Sequence, residues 1–249
     1  MVDARIAETF ILPSHGKVYE EKVNPEVTLS SMTTKHEMLR LSANEDNQKL
    51  MADIIDDCIQ NEVGISAYDM CLPDYQFLMY KLREVTFGNE YEMTGVCPFC
   101  GSRNDITVDL DELPVREFTD DILNLMEIEL PQSGDVLELT LQTPRTLDNI
   151  NKQVKQAKRK LKNRENPYIL YMMLSSITKK NGEKFDPFME ENWLRNMPLS
   201  EANMIISAID KLNASFGLEL TVDHVCEACG SDIVAPFRVN ETFFRPTVY

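Results

Sequence analysis

The sequence predicts an α+β protein built of two degenerate tandem repeats, mostly helical with short β-hairpins, joined by a zinc-ribbon-like four-cysteine site. Three observations carry that prediction. First, "FGNEYEMTGVCPFCGS" (87–102) aligns without a gap on "FGLELTVDHVCEACGS" (216–231), sharing Phe, Gly, Glu, Val, both Cys, Gly and Ser. Second, upstream anchors recur in the same order: "ILPSHGKVY" (11–19) matches "ELPQSGDVL" (129–137), and "TLSSMTT" (28–34) matches "TLQTPRT" (140–146). Ordered self-similarity of this kind marks a repeated structural unit. Third, apolar residues recur at helical spacing in the middle of each half, while short alternating runs flank the cysteines. The units expected are residues 1–115 and 116–249, each ending in a Cys knuckle.

The elements follow in chain order. "NQKLMADIIDDCIQ" (47–60) places Leu50, Met51, Ile54, Ile55, Cys58 and Ile59 on one face, with acidic residues on the other, and reads as an amphipathic helix. "SAYDM" (66–70) reads as a short turn. "LPDYQFLMYKLREVT" (72–86) is helical and opens on a Pro signal, and "NEYEMTGV" and "DITVDLD" alternate as strands around the first Cys pair. In the second half, Ile169, Leu170, Met173, Leu174 and Ile177 form a helical stripe, and "KKNG" (179–182) reads as its cationic, Gly-terminated end. "DPFMEENWL" (186–194) reads as a helix capped by Asp186 with Pro187 in its first turn. "LSEANMIISAIDKLNAS" (199–215) is the counterpart of 72–86, and "LELTVDHV" and "SDIVAPFRV" are the strands around the second Cys pair. Cys58 and Cys71 sit in apolar patterns and read as buried small hydrophobes. In the tail "NETFFRPTVY" (240–249), Phe243, Phe244 and Tyr249 close the core or insert into a partner.

At 249 residues with a net charge of −16, the chain repels phosphate backbones, which argues against sequence-independent nucleic-acid binding. The opening "MVDARIAETF" lacks a basic start followed by an apolar core, and the longest apolar run, 167–177, is too short to span a bilayer. The expected location is therefore the cytosol, where disulfides are rare, so six cysteines call for another explanation.

A Cys-x-x-Cys turn lets two thiolates converge on one tetrahedral cation, and the Gly after the second Cys permits the positive φ that turns backbone N–H groups toward sulfur. One knuckle offers two ligands and structural zinc takes four. We therefore expect one structural Zn2+ held by Cys97, Cys100, Cys226 and Cys229. The long gap between the pairs is a whole repeat unit. A redox motif would need its first thiol at a helix N-terminus, whereas polar "SRND" and a new strand follow here. A catalytic zinc would keep one position open. Pairing of each knuckle with another subunit stays open. His224 lies two residues before Cys226, but its counterpart is Gly95, and it is left out of the ligand set.

"NKQVKQAKRKLKNR" (151–164) carries seven basic residues and no acidic one. On a helix, Val154, Ala157 and Leu161 form its apolar stripe. Lys155, Lys158, Arg159 and Lys162 form either a solvated face or a docking face for an acidic partner. The aromatic residues that would stack on bases are absent there. His15, His36 and His224 have no metal-ligand spacing, and neither a Gly-rich phosphate loop nor a nucleophile elbow is present, so neither an enzyme nor a small-molecule substrate is expected.

The opening "FILPSHGKVY…VTLSSMTTKHEMLRL" and the two "FG…VC..CGS" elements together resemble the baseplate hub assembly proteins of T4-like tailed bacteriophages. That resemblance implies a non-enzymatic factor acting in the host cell cytoplasm as a chaperone for other phage tail and baseplate hub proteins, and not required to stay in the virion. A permanent structural subunit of the hub and a zinc-ribbon regulator that touches nucleic acid are the alternatives.

Overall fold

A computed structural model of the chain describes residues 6–42, 48–160, 165–237 and 243–244. Strands β1 (Ala7–Ile11) and β2 (Glu26–Ser30) pair antiparallel, with Thr9 opposite Thr28. Helices α1 (Thr34–Ser42), α2 (Gln48–Cys58) and α3 (Leu72–Phe87) follow, then a hairpin of β3 (Glu90–Val96) and β4 (Arg103–Asp109). After a 3-10 turn at Leu110–Glu112 come the two-residue β5 (Val115–Arg116), a 3-10 segment at Asp120–Met126, β6 (Glu127–Glu129) and β7 (Val136–Leu139). Next are α4 (Pro144–Lys160), α5 (Tyr168–Ser176), β8 (Ile177–Lys180), β9 (Glu183–Lys184), α6 (Pro187–Arg195) and α7 (Leu199–Asn213). The two-residue β10 (Gly217–Leu218) pairs with β5, and a second hairpin of β11 (Thr221–Val225) and β12 (Asp232–Pro236) ends the chain of elements. Strands β6, β7, β8 and β9 form one antiparallel sheet in that order. The mixture of helices and small sheets is α+β, as expected.

Local chemistry explains the elements. In α2, Ala52, Ile54, Ile55 and Cys58 are buried while Asp53 and Asp57 stay outside, which is the amphipathic pattern the sequence carries. Its first N–H groups, on Gln48 and Lys49, donate to the Asp148 carboxylate of α4 at 3.1 and 3.0 Å, so its cap comes from the other half of the chain. In α6 the Asp186 carboxylate accepts from Phe188 N–H, as its position before Pro187 predicts.

A carboxylate in the first turn of a helix pins an Leu-Pro turn in both halves. Asp74 of α3 accepts from Ser14 N–H at 3.0 Å, from the Ser14 hydroxyl and from the Tyr19 hydroxyl. Glu201 of α7 accepts from Gln132 N–H and Ser133 N–H at 2.8 and 2.9 Å. Both acids are buried. Burial pushes the Asp74 carboxyl above its ordinary value, against the lowering effect of its Ser14 and Tyr19 donors. Strand pairing after the second helix also matches: Leu29 of β2 bridges Ile59, and Leu139 of β7 pairs with Ile177 of β8.

Two apolar clusters form the interior. One gathers β2, α2, α3 and the first hairpin, and also takes in Ala235, Phe237, Phe243 and Phe244 from the end of the chain. There Phe243 stacks within 4.8 Å of Tyr80 and 5.4 Å of Tyr91 (ring centroids), and its carbonyl accepts from the Arg83 guanidinium. The other gathers β7, α4, α5 and α7. Phe243 and Phe244 thus close a core; Tyr249 lies outside the described residues.

Two expectations need correction. Residues 179–182 are not a helix end: Lys179 and Lys180 end β8, and Asn181 and Gly182 are the hairpin turn to β9. Asn181 and Gly182 both adopt positive φ (53° and 79°), the conformation that matches the twist of paired strands. Ile169 is not on the apolar stripe of α5: it is half exposed, while Met172 takes its place, and Ile177 begins a strand.

Candidate metal centre

The two hairpins bring their tips together. The Sγ atoms of Cys97, Cys100, Cys226 and Cys229 all lie within 4.8 Å of one another. Cys97 and Cys229 are 3.7 Å apart, as are Cys100 and Cys226, so each close pair crosses from one hairpin to the other. A disulfide would place sulfurs about 2.05 Å apart. A tetrahedral ion with metal–sulfur bonds of about 2.3 Å places them about 3.8 Å apart. The four thiols fit the second description, and a four-sulfur set suits zinc or iron. Of the sequence-assigned ligands, all four are brought together within one chain.

The local folding of the knuckles is the same twice. Cys97 N–H donates to Ser102 O and Gly101 N–H to Cys97 O; Cys226 N–H donates to Ser231 O and Gly230 N–H to Cys226 O. Gly101 and Gly230 have φ of 74° and 72°, where a side chain would be strained. The first Cys of each knuckle is buried and the second is exposed. Cys97, Cys226 and Ile233 form a small apolar cluster of their own under the site.

The surroundings of the thiols are not symmetric. The Ser102 hydroxyl lies 3.0 Å from Cys100 Sγ and 3.1 Å from Cys226 Sγ, touching one thiol of each hairpin. Chiefly through that hydroxyl, the Cys226 thiol is drawn down to about 5, with backbone N–H groups of Cys229 and Ala228 adding to the effect. Cys100 is lowered mainly by the same hydroxyl, whereas burial pushes Cys97 up to about 11. Of the ligands a metal needs as thiolates, Cys226 is thus the one these surroundings favour most in that form.

Sequence reasoning missed two residues here. Ser102 was legible only as a repeated letter in the "CGS" motif. Asn104, two residues further on, is 1 % exposed and ties the tips together: its Oδ1 accepts from Glu227 N–H at 3.0 Å and its Nδ2 donates to Ser102 O at 3.2 Å. The alternation of β4 marks position 104 as inward-facing, and a polar amide at such a position is the signal that was available. His224 is not among the four-sulfur group, and its Nε2 is buried without a hydrogen-bond partner among the described residues.

The basic segment lies on α4, which packs on α2 and α5. Val154 and Ala157 are buried; Lys155 and Arg159 are exposed and Lys158 is half-buried. Leu161 and Lys162 lie outside the described residues. No helix among the described residues is long and apolar enough to cross a membrane.

A family model described as "T4 bacteriophage base plate protein" matches residues 5–245. No curated protein and no solved structure matches the chain.

Proposed function

The chain belongs to the T4 bacteriophage base plate protein family, and from that premise we propose that it is a non-enzymatic assembly factor of the baseplate hub, stapled by one structural zinc ion. The observation that carries the zinc part is the closed set of four thiols. Four sulfurs at tetrahedral spacing leave no position for water or substrate, so the ion holds two hairpins together rather than activating a nucleophile. Zinc suits that role because it has no redox chemistry and takes tetrahedral thiolates readily.

The tandem-repeat reading, with units 1–115 and 116–249 forming a zinc-ribbon-like pair, is supported by the repeated knuckle hydrogen bonds, the buried Asp74 and Glu201 locks, and the matching strand pairing after the second helix of each half. A factor of this kind acts in the host cytoplasm through protein–protein contacts with other tail and hub proteins. Lys155 and Arg159, exposed on α4, with the half-buried Lys158, form the face we assign to an acidic partner; Lys162, expected on the same face, lies outside the described residues.

Metal analysis of the protein purified from infected cells, together with identification of co-purifying proteins, tests this reading. One zinc per chain and a co-purifying tail protein are expected. Two disulfides with no metal would remove the staple. Quantitative mass spectrometry of purified particles separates the roles, since a chaperone is depleted from virions and a structural hub subunit is retained. A Lys155→Glu/Arg159→Glu variant should lose the co-purifying protein while keeping its zinc.

A further inference from the structure

We propose that Asn104 is the positioning residue of the metal centre: its side-chain amide, in addition to the ion, holds the second knuckle against the first hairpin. This inference rests on the metal-staple reading. Asn104 faces inward from β4, opposite Gly95, and is almost fully buried. Its two hydrogen bonds join Glu227 N–H, inside the second Cys-x-x-Cys, to Ser102 O, just after the first. Ser102 O is also the acceptor of Cys97 N–H, so one amide connects the backbone of both knuckles.

The two repeats differ at this point in a paired way. The residue after the first Cys is Pro98 in one knuckle and Glu227 in the other. The strand position three after the Gly is Asn104 in one hairpin and Ile233 in the other. Proline has no N–H, so the first knuckle brings no donor at that position. Glu227 does have one, part-buried between the tips, where an acceptor on the facing hairpin satisfies it. Asn104 Oδ1 is that acceptor. Ile233, where no donor calls for it, instead packs with Cys97 and Cys226. Glu227 and Asn104 thus form a bonded pair, and Pro98 and Ile233 stand at the equivalent positions of the other knuckle and hairpin.

The test compares zinc affinity of the full-length protein, measured by competition with a chromophoric chelator, for three forms. Asn104→Ile should weaken zinc binding about 10- to 100-fold, the usual effect of removing a group that orients metal ligands. Asn104→Ile/Glu227→Pro, which copies the first knuckle's pair onto the second, should recover most of that loss. An Asn104→Ile variant with wild-type affinity, or a double variant no better than the single, overturns the role of Asn104 and leaves the metal staple standing. A wild-type chain that binds no zinc overturns the staple itself, and this inference with it. Should Asn104→Ile fail to fold, hydrogen exchange of the wild-type chain after chelation decides: the Glu227 amide stays protected alongside the amides of β3 and β4 if Asn104 holds it, and exchanges freely if only the ion did.

Discussion

Withdrawing the metal should lower the stability of the chain by several kcal/mol without unfolding it at room temperature. The magnitude follows from where the ligands sit. Cys100 and Cys226, a close cross-hairpin pair, are 126 residues apart in sequence. Closing a loop of that length in an unfolded chain costs about 5 kcal/mol. The unfolded chain can therefore hold an ion with one knuckle at most, and four-sulfur binding belongs to the folded state. A ligand that binds only the folded state, at about 1,000 times its dissociation constant, stabilises by about 4 kcal/mol. For a chain of this size that corresponds to a fall in Tm of about 8–16 °C on chelation. Calorimetry of the zinc-loaded and chelated protein, with far-UV circular dichroism at 25 °C as a check on the fold, reads the effect. Cys226→Ser should start near the chelated value and respond little to chelator. Equal Tm with and without chelator, or a Cys226→Ser variant that responds like wild type, would refute the argument.

Three further perturbations follow from the geometry. Phe243→Ala empties a fully buried site ringed by Tyr80, Tyr91 and Phe244, and should cost about 3–5 kcal/mol in urea unfolding; a loss below about 1 kcal/mol would show that the end of the chain does not complete the first core. Asp148→Ala removes the cap of α2 and a hydrogen bond from the Tyr68 hydroxyl, and should cost about 1–2 kcal/mol, read as a lower urea midpoint at unchanged slope. Asp74 has a carboxyl raised by burial, so the folded state binds its proton more tightly than the unfolded state does. Stability contributed by that group is greatest below the ordinary value of 3.8 and falls as pH rises through the raised folded value. Wild type should therefore lose ground against Asp74→Asn as pH is raised from about 4 to 7, and parallel curves would show that Asp74 does not titrate abnormally.

The parts of the fold visible in the sequence are those where one residue type dictates one geometry. The Cys-x-x-Cys-Gly pattern could be read because thiolate spacing and a positive-φ glycine leave few alternatives. The stripe of α2 could be read because Ile54, Ile55 and Cys58 recur at helical period beside Asp53 and Asp57. The "KKNG" segment misled because a cationic, Gly-ended stretch signals both a helix terminus and a hairpin. Pairing of β8 with β7 decided for the hairpin, and that pairing is a tertiary fact. Ile169 misled for a similar reason: α5 is apolar almost all round, so periodicity alone does not choose which residues face α4, α6 and α7. The partners of Asn104 and Asp148 were beyond reach, because each satisfies a donor far away in sequence, 123 and 100 residues respectively.

Those long-range polar contacts bear on what the metal can and cannot be responsible for. The two halves meet in at least three places besides the sulfur cluster. Asp148 caps α2, β10 pairs with β5, and Phe237 and Phe243 pack on Tyr80 and Tyr91 of the first half. The apolar contact is the largest of these in kind, since it buries whole aromatic rings, and it lies directly below the second hairpin, whose strand β12 runs into Phe237. An ion at the hairpin tips therefore does not have to bring the halves together. Such an ion would fix, alongside the Asn104 amide, the far ends of two ribbons whose bases are already packed. Exposed Phe99, Val96 and Val225 sit at those far ends. Loss of metal should thus leave the two cores intact and loosen the tips first, so hydrogen exchange after chelation should rise at the Gly101 and Gly230 amides before it rises in α3 or α7, while the Glu227 amide held by Asn104 stays protected. Uniform exchange across the chain would instead make the ion a condition of the whole fold.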